Sequence, residues 1–192
     1  IFYSAITQYL GFQRDSDEYK VMGMAAYGEP RFDLDALLGI TSDGYELAEG
    51  FVRGISSDLP SPSKQERLYG DLPVPVSPRS PGTPITQDHF DLAASAQQQL
   101  ERAVLSLLGH HLESTGLSRV AIAGGVGLNC LMNRSIRDHD AVSDLFVPPV
   151  CSDAGLALGG AFLESRRRGD VPETYRHAFW GPEFSASEIR KV

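Results

Sequence analysis

Apolar residues recur every three or four positions in several stretches of this 192-residue chain, as they do on one face of a helix. In the first stretch this spacing predicts a helix over residues 1–10, which Gly11 ends. A second helix is expected to begin after Ser16 or Asp17, whose side chains suit an N-cap, and to stop at Gly28. The amino-terminal pattern is therefore helical.

The longest predicted helix begins at Thr86, and its apolar positions form a single stripe. The stripe comprises Phe90, Ala93, Ala96, Leu100, Ala103, Val104, Leu107 and Leu108. Gly116 is expected to end the helix, because glycine readily adopts the left-handed conformation found after many helices.

The segment between these helices shows shorter patterns. Residues 31–39 predict a short amphipathic piece, and the Asp43-Gly44 dipeptide predicts the turn of a short strand or hairpin. Residues 57–84 contain seven prolines, which exclude a regular helix and predict a long loop over most of the segment.

Strands and helices alternate after Gly116. Strands are predicted within residues 118–126 and 144–150, and each is followed by a helix, within residues 128–139 and 152–169. Such alternation is typical of an α/β fold in which parallel strands form the sheet.

The formal net charge of −8 disfavours a general nucleic-acid binder or a protein of anionic membrane surfaces, so we expect neither partner. The chain has no apolar run of about 18 residues, the length that a membrane-spanning helix requires. No secretory signal is visible, and we predict a cytoplasmic location. The chain begins without methionine, inside a helical pattern, and is interpreted as a fragment.

Two glycines follow the first predicted strand of the alternating region, at Gly124 and Gly125. In an α/β sheet, ligands bind beyond the carboxyl ends of the strands, where glycines let the backbone approach a nucleotide or anion. The alternative is a tight turn that requires positive φ. Asn129, four residues further on, either bonds a nucleotide across the loop or caps the next helix.

Asp153 occupies the equivalent place after the second strand, at the start of a helix. It either serves as an N-cap, together with Ser152, or binds a hard cation beside the phosphates of a nucleotide. The histidines show no spacing of a metal-binding pair. Cys130 and Cys151 have no CxxC partner, and we expect both to be small buried apolar residues.

Four motifs carry a family resemblance: FYSAITQYLGF, DEYKVMGMAAYG, AIAGGVGLNC and CSDAGLALGGAF. In this order they resemble the O-carbamoyltransferases of nodulation-factor and antibiotic biosynthesis, which act on tobramycin, cephamycins, novobiocin and ansamycins. The glycine loop and the SDAG segment are also similar to those of the tRNA threonylcarbamoyl-transferase family.

The resemblance implies an actin-like fold of the ribonuclease H-like, sugar-kinase and heat-shock ATPase superfamily. This chain, over residues 1–180, would be the second half of that duplicated domain, and residues 181–192 would start a linker to a following domain. The implied reaction joins ATP and carbamoyl phosphate to give carbamoyl adenylate. The carbamoyl group then passes to a hydroxyl of a small-molecule acceptor, a natural product or a sugar.

The resemblance also assigns residues. Gly124, Gly125, Val126 and Asn129 match a loop that binds the nucleotide, and Glu18 and Lys20 match a segment near it. Asp153 matches a ligand of a divalent metal, with Fe²⁺ expected and Mn²⁺ or Zn²⁺ as alternatives. The resemblance places the family's metal-binding histidine pair before residue 1.

The resemblance also implies partner domains, and the loops leave two alternative functions open. The implied partners are the remaining half of the actin-like domain and a carbamoyl-adenylate-forming domain of the same protein, so we expect the fragment alone to be inactive. Two other functions fit the loops, namely an ATP-dependent kinase of the actin-like superfamily and a non-catalytic nucleotide-binding module.

Overall fold

A computed structural model of the chain describes residues 1–48, 72–171 and 181–190. The chain divides into two units. The first unit comprises Ile1–Arg119 with Asn129–Asp144, and the second comprises Val120–Leu128 with Leu145–Val192. Each unit is described by itself below.

Among the described residues of the first unit there are four helices, and their bounds follow the sequence pattern closely. They are α1 (Phe2–Tyr9), α2 (Glu18–Ala25), α3 (Gln87–Thr115) and α4 (Cys130–Arg137). Helix α3 begins after Thr86, whose N–H donates to Nδ1 of His89 at 2.9 Å, and it ends at Gly116, where φ is +66°. The predicted glycine stop is confirmed here, because a residue with a side chain is strained at this φ.

A small hairpin follows α2 in the first unit. Strands β1 (Leu38–Thr41) and β2 (Gly44–Leu47) are antiparallel, with Thr41 opposite Gly44. The hydroxyl of Thr41 donates to Oδ1 of Asp43 at 2.8 Å within the turn. The hairpin interpretation of Asp43-Gly44 is confirmed.

The hydrophobic core of the first unit is formed by α1, α2, the hairpin and α3. Its fully buried side chains include Ile6, Leu10, Val21, Leu34 and Leu92. Helix α2 ends close to α3, because Gly28 lies so near the backbone of Phe90 that a Cβ there would overlap the Phe90 carbonyl.

The segment before the hairpin is irregular, although residues 31–39 predicted an amphipathic piece. Buried polar side chains of α3 bind the backbone of this segment and of the first residue of β1. The carboxylate of Asp91 accepts from the N–H of Glu29 at 2.9 Å, Ser95 Oγ accepts from the N–H of Phe32 at 3.0 Å, and Gln99 Nε2 donates to the carbonyl of Leu38. The hydrogen bond from Glu29 is the main cause that lowers the pKa of Asp91.

The second unit contains most of a separate two-stranded sheet. Strands β3 (Arg119–Ala121) and β4 (Asp144–Phe146) pair with each other. The N–H of Ser143 donates to the carbonyl of Ser118, and the N–H of Ile122 donates to that of Phe146. The partners advance together along both strands, so the pair is parallel, as predicted.

The described part of the second unit also contains two helices, α5 (Gly155–Arg167) and the one-turn α6 (Ala186–Ile189). Helix α5 has no buried residue in the described chain, and the side chains of Leu156 and Leu163 are 77% and 56% exposed. The mixture of helices and strands agrees with the α/β prediction, whereas the actin-like duplication stays a prediction.

The predicted proline-rich loop is described only in part. Residues 72–84 contain neither helix nor strand, and residues 57–71 lie outside the described ranges. The loop is held to α1 where Arg79 Nε donates to the carbonyl of Leu10 at 2.6 Å and the guanidinium stacks on the ring of Phe12.

The two cysteines differ in their surroundings. Cys151 is buried, as expected, but Cys130 is exposed at the first turn of α4, with its Sγ 3.8 Å from Sδ of Met22. The prediction of a buried Cys130 is wrong, because the amphipathic pattern of α4 does not turn its first residue inward. Across the described ranges, no helix is both long and apolar enough to cross a bilayer.

Candidate functional site

The glycine loop after β3 forms a short 3-10 helix, Gly125–Leu128, in the second unit. Gly124 precedes it with φ of +99°, and its N–H donates to the carbonyl of Cys151 at 2.5 Å. The N–H of Gly127 closes the turn onto the carbonyl of Gly124 at 3.0 Å. Position 124 therefore requires glycine, because residues with a side chain rarely adopt this backbone conformation.

Gly125 and Val126 differ from Gly124 in what they require. Gly125 does not have positive φ, and a Cβ added there would meet nothing within 4 Å. The Val126 side chain is 48% exposed. The turn itself supplies no acceptor for the N–H groups of these two residues, because they stand at the beginning of the 3-10 helix. Open backbone at this position is what the predicted nucleotide contact needs.

Asp153 lies in the turn before α5, also in the second unit. Its backbone carbonyl accepts from the N–H of Leu156 at 3.0 Å, and Ser152 accepts in the same way from Gly155 at 2.8 Å. The residue is exposed. Ala154, not Asp153 or Ser152, is the N-cap of α5, and no side chain caps the helix. The N-cap alternative for Asp153 is therefore wrong, whereas metal binding stays a prediction.

The described residues do not supply a complete metal site. No group of three or more His, Cys, Asp or Glu side chains comes together among them. A divalent transition metal generally needs several protein ligands, and Asp153 offers a single carboxylate. Metal binding by Asp153 therefore stays a prediction that requires ligands from outside the described residues.

Asn129 belongs to the first unit and is the N-cap of α4. Its Oδ1 accepts from the N–H of Met132 at 3.0 Å, and the residue is 8% exposed. Its amide also pairs with that of Gln97 on α3, Nδ2 donating to Gln97 Oε1 at 2.8 Å. The cap interpretation of Asn129 is confirmed by these contacts, and its predicted contact with a nucleotide stays a prediction.

Glu18 and Lys20 stand at the start of α2 in the first unit. Oε1 of Glu18 accepts from the Ser4 hydroxyl at 2.9 Å and from the N–H of Asp15 at 2.7 Å. Nζ of Lys20 lies 2.8 Å from Oδ1 of Asp17, and the hydrogen bond to this carboxylate raises the pKa of Lys20. Both predicted nucleotide neighbours are thus half-buried and have partners within the chain.

The predicted site residues are divided between the two units. Glu18, Lys20 and Asn129 belong to the first, and the residues of the second are Gly124, Gly125, Val126 and Asp153. Within each unit, these residues lie at the start of a helix or after the end of a strand, as the sequence pattern predicted.

Sequence reasoning missed Tyr3 and Gln97, the buried partners of Asn129. The hydroxyl of Tyr3 donates to Oε1 of Gln97 at 2.8 Å, and Gln97 is 5% exposed. A signal for Gln97 existed, because it lies four residues after Ala93 and three before Leu100 in the apolar stripe of α3. A polar residue in such a stripe is buried and needs a polar partner.

Comparison with known proteins shows which family this chain resembles. A family model described as the carbamoyltransferase N-terminus matches residues 1–162. Nodulation protein NolNO of Sinorhizobium fredii is 37% identical over 188 residues, covering 97% of this chain and 26% of that protein. Nodulation protein NolO of Bradyrhizobium diazoefficiens is 36% identical over 194 residues, covering 100% of this chain and 33% of that protein.

A more distant relative is the tRNA N6-adenosine threonylcarbamoyltransferase of Bordetella pertussis. It is 31% identical over 156 residues, which are 78% of this chain and 44% of that protein. The chain thus spans between 26% and 44% of the length of these three relatives.

The family model covers every residue predicted for the site, from Glu18 in α2 to Asp153 before α5. The two nodulation relatives align along almost the whole chain. These matches confirm the resemblance that the four motifs predicted, and the chain belongs to the carbamoyltransferase N-terminus family.

Proposed function

We propose that this chain is part of an enzyme that makes carbamoyl adenylate from ATP and carbamoyl phosphate and transfers the carbamoyl group to a hydroxyl of a small-molecule acceptor. The observation that carries the proposal is the family match over residues 1–162. The Bordetella pertussis relative is named for the transfer of a threonylcarbamoyl group. Both groups are transferred through a carbonyl carbon bonded to nitrogen, so one kind of chemistry serves both.

The glycine loop is proposed to hold the adenylate. Gly124 sets the turn through its φ of +99°, and Gly125 and Val126 offer backbone N–H groups that the turn does not use. Such groups bind the oxygens of an anion without a charged side chain. Because a Cβ at Gly125 would meet open space, a ligand has room to approach the backbone there.

The transfer step is a substitution at the carbamoyl carbon. The acceptor hydroxyl oxygen attacks this carbon, the bond from the carbon to the phosphate oxygen breaks, AMP leaves, and the hydroxyl proton is lost. Donors fixed around the adenylate favour this step, because they stabilise the negative charge of the departing phosphate without reorganising. No step is assigned to a metal, since the described residues do not complete a metal site.

The remaining predicted residues enter the proposal as positions to test. Glu18, Lys20 and Asn129 are proposed to lie near the nucleotide, and Asp153 is proposed to bind a divalent metal together with ligands from elsewhere in the full-length protein. The proposed covering partners are the other half of the actin-like domain and a domain that forms carbamoyl adenylate.

Mass spectrometry on the full-length protein tests the reaction. The protein is incubated with ATP, carbamoyl phosphate and a panel of hydroxylated metabolites, and we expect one acceptor to gain a single carbamoyl group while AMP accumulates. Reactions without ATP, or without carbamoyl phosphate, are the controls and should give no product.

Other products identify the alternatives. Gain of a phosphoryl group with release of ADP would contradict the proposal and indicate a kinase. Nucleotide binding without any change in the acceptors or in carbamoyl phosphate would indicate a non-catalytic module.

A further inference from the structure

The side-chain amide of Asn129 is held by three hydrogen bonds within the first unit. Its Oδ1 accepts from the N–H of Met132 at 3.0 Å and from Nε2 of Gln97 at 3.1 Å. Its Nδ2 donates to Oε1 of Gln97 at 2.8 Å. An amide has two donor hydrogens and two acceptor positions, so these contacts use both acceptor positions and one of the donors.

Gln97 is occupied in the same way. Its Oε1 accepts from the Tyr3 hydroxyl and from Asn129, and its Nε2 donates to Asn129 and to Oε1 of Glu101 at 2.7 Å. The other oxygen of Glu101 accepts from the hydroxyl of Ser135 on α4 at 2.7 Å. The Tyr3–Gln97–Asn129 network therefore links α1, α3 and the start of α4.

Burial makes this network costly to open. Asn129 and Gln97 are 8% and 5% exposed, and burial raises the pKa of Tyr3 above its ordinary value, so its hydroxyl stays a neutral donor. A ligand that took one of the hydrogen bonds between Asn129 and Gln97 would deprive the buried Gln97 amide of that partner, which is costly where little water reaches.

We infer that Gln97 and Tyr3 are positioning residues for Asn129, and that Asn129 supports nucleotide binding through the backbone it holds rather than by contact of its side chain with the nucleotide. Asn129 directly follows Leu128, the last residue of the 3-10 helix, so the network holds the residue that comes next along the chain after that turn. The inference rests on the proposed function, because it concerns binding of a nucleotide.

A double-mutant cycle on the full-length protein tests the inference, with a non-hydrolysable ATP analogue as the probe and calorimetry as the measurement. Gln97→Met removes the amide pair at similar volume, and Asn129→Ser removes it while keeping an oxygen that caps α4. We expect each single variant, and Tyr3→Phe to a smaller extent, to weaken the affinity, by about tenfold for the first two. The double variant Gln97→Met/Asn129→Ser should bind the analogue no more weakly than either single variant, because both substitutions disrupt the same network.

The matched control is Gln99→Met on the same helix. Gln99 is as buried as Gln97, but it bonds Asp35 and the carbonyl of Leu38 in the hairpin region. We expect its loss to lower the melting temperature, as Gln97→Met does, and to leave nucleotide affinity unchanged. Gln98→Met, at an exposed position, should change neither quantity.

The outcomes separate the inference from the proposed function. If Asn129→Ser weakens binding by its full factor even in the Gln97→Met background, then Asn129 contacts the nucleotide directly and the inference is wrong. Unchanged affinity in a folded Gln97→Met protein would also overturn it. A wild-type protein that binds no nucleotide would instead overturn the proposed function, and the positioning role with it.

Discussion

Adjacent glycines in the loop after β3 have different physical requirements, which the sequence alone does not separate. Gly124 has φ of +99°, a conformation that residues with a side chain rarely adopt, whereas Gly125 has an ordinary φ and open space around it. Gly127, two residues on, is limited by packing instead, since a Cβ there would lie 3.1 Å from Ile122 Cγ2 and 3.2 Å from Cys151. Of these three loop glycines, Gly125 alone has neither positive φ nor close packing as a reason to be glycine, which favours a ligand as the reason.

Substitutions at Gly124 and Gly125 should distinguish a glycine that the turn requires from one that a bound ligand requires. Gly124→Ala should destabilise the full-length protein by about 1 kcal/mol, because alanine is strained at positive φ. Gly125→Val should leave the unfolding free energy within about 0.5 kcal/mol of wild type, as surface changes usually do, but lower the affinity for an ATP analogue. Urea denaturation and calorimetry measure the two quantities. If folded Gly125→Val binds the ATP analogue with wild-type affinity, then Gly125 serves the turn and does not contact the nucleotide.

Helix α3 organises the first unit through polar residues as much as through its apolar stripe. Asp91 and Ser95 bind backbone groups of the irregular segment before the hairpin, Gln99 binds the first residue of β1, and Gln97 binds Asn129. These four side chains bind segments that are distant in sequence. The 29-residue helix α3 therefore fixes the positions of several other parts of the first unit. The close approach of α2 at Gly28 belongs to the same arrangement.

Gly28→Ala tests the approach of the α2 end to α3. A Cβ at Gly28 would overlap the backbone of Phe90, which has no rotamer to adjust, so we expect a loss of about 1–3 kcal/mol in unfolding free energy. Gly23→Ala is the matched control inside α2, where a Cβ meets nothing within 4 Å. It should stabilise by up to about 1 kcal/mol, because alanine favours a helix over glycine. Equal effects of the two substitutions in urea denaturation would contradict this contact.

At the scale of the whole molecule, the two units differ in how much apolar surface they bury. The first has a continuous core, whereas α5 in the second has no buried residue and exposes Leu156 and Leu163. Exposed apolar faces of this kind are usually covered by another part of the protein. The proposed remainder of the actin-like domain is the partner that we expect to cover α5.

Leu156→Ala in the full-length protein tests that expectation. If a partner covers α5, the substitution should lower the unfolding free energy by about 2 kcal/mol or more, as for other buried leucines. Leu112→Ala is the reference, since Leu112 is 8% exposed in the first unit and should lose at least as much. A change within about 0.5 kcal/mol for Leu156→Ala, beside a large loss for Leu112→Ala, would show that α5 stays uncovered.

The sequence by itself determined most of the described elements and several of their ends. Thr86 and Gly116 bound α3, Asp43-Gly44 makes the hairpin turn, and the glycine loop follows β3, all as the pattern predicted. Caps, turns and positive-φ glycines depend on a few adjacent residues, so they are readable in a single chain. The family motifs were readable for the same reason, since each is a short continuous segment.

Only the tertiary structure decided what the polar residues do. The pairing of Gln97 with Asn129 joins residues 32 positions apart, and the backbone bonds of Asp91 and Gln99 span about twice that separation. Residues 31–37 proved irregular because packing overrode the local pattern, and Cys130 proved exposed because residue type alone does not say which face of α4 it occupies. Whether a buried amide has a partner depends on which helices meet, and no local pattern contains that information.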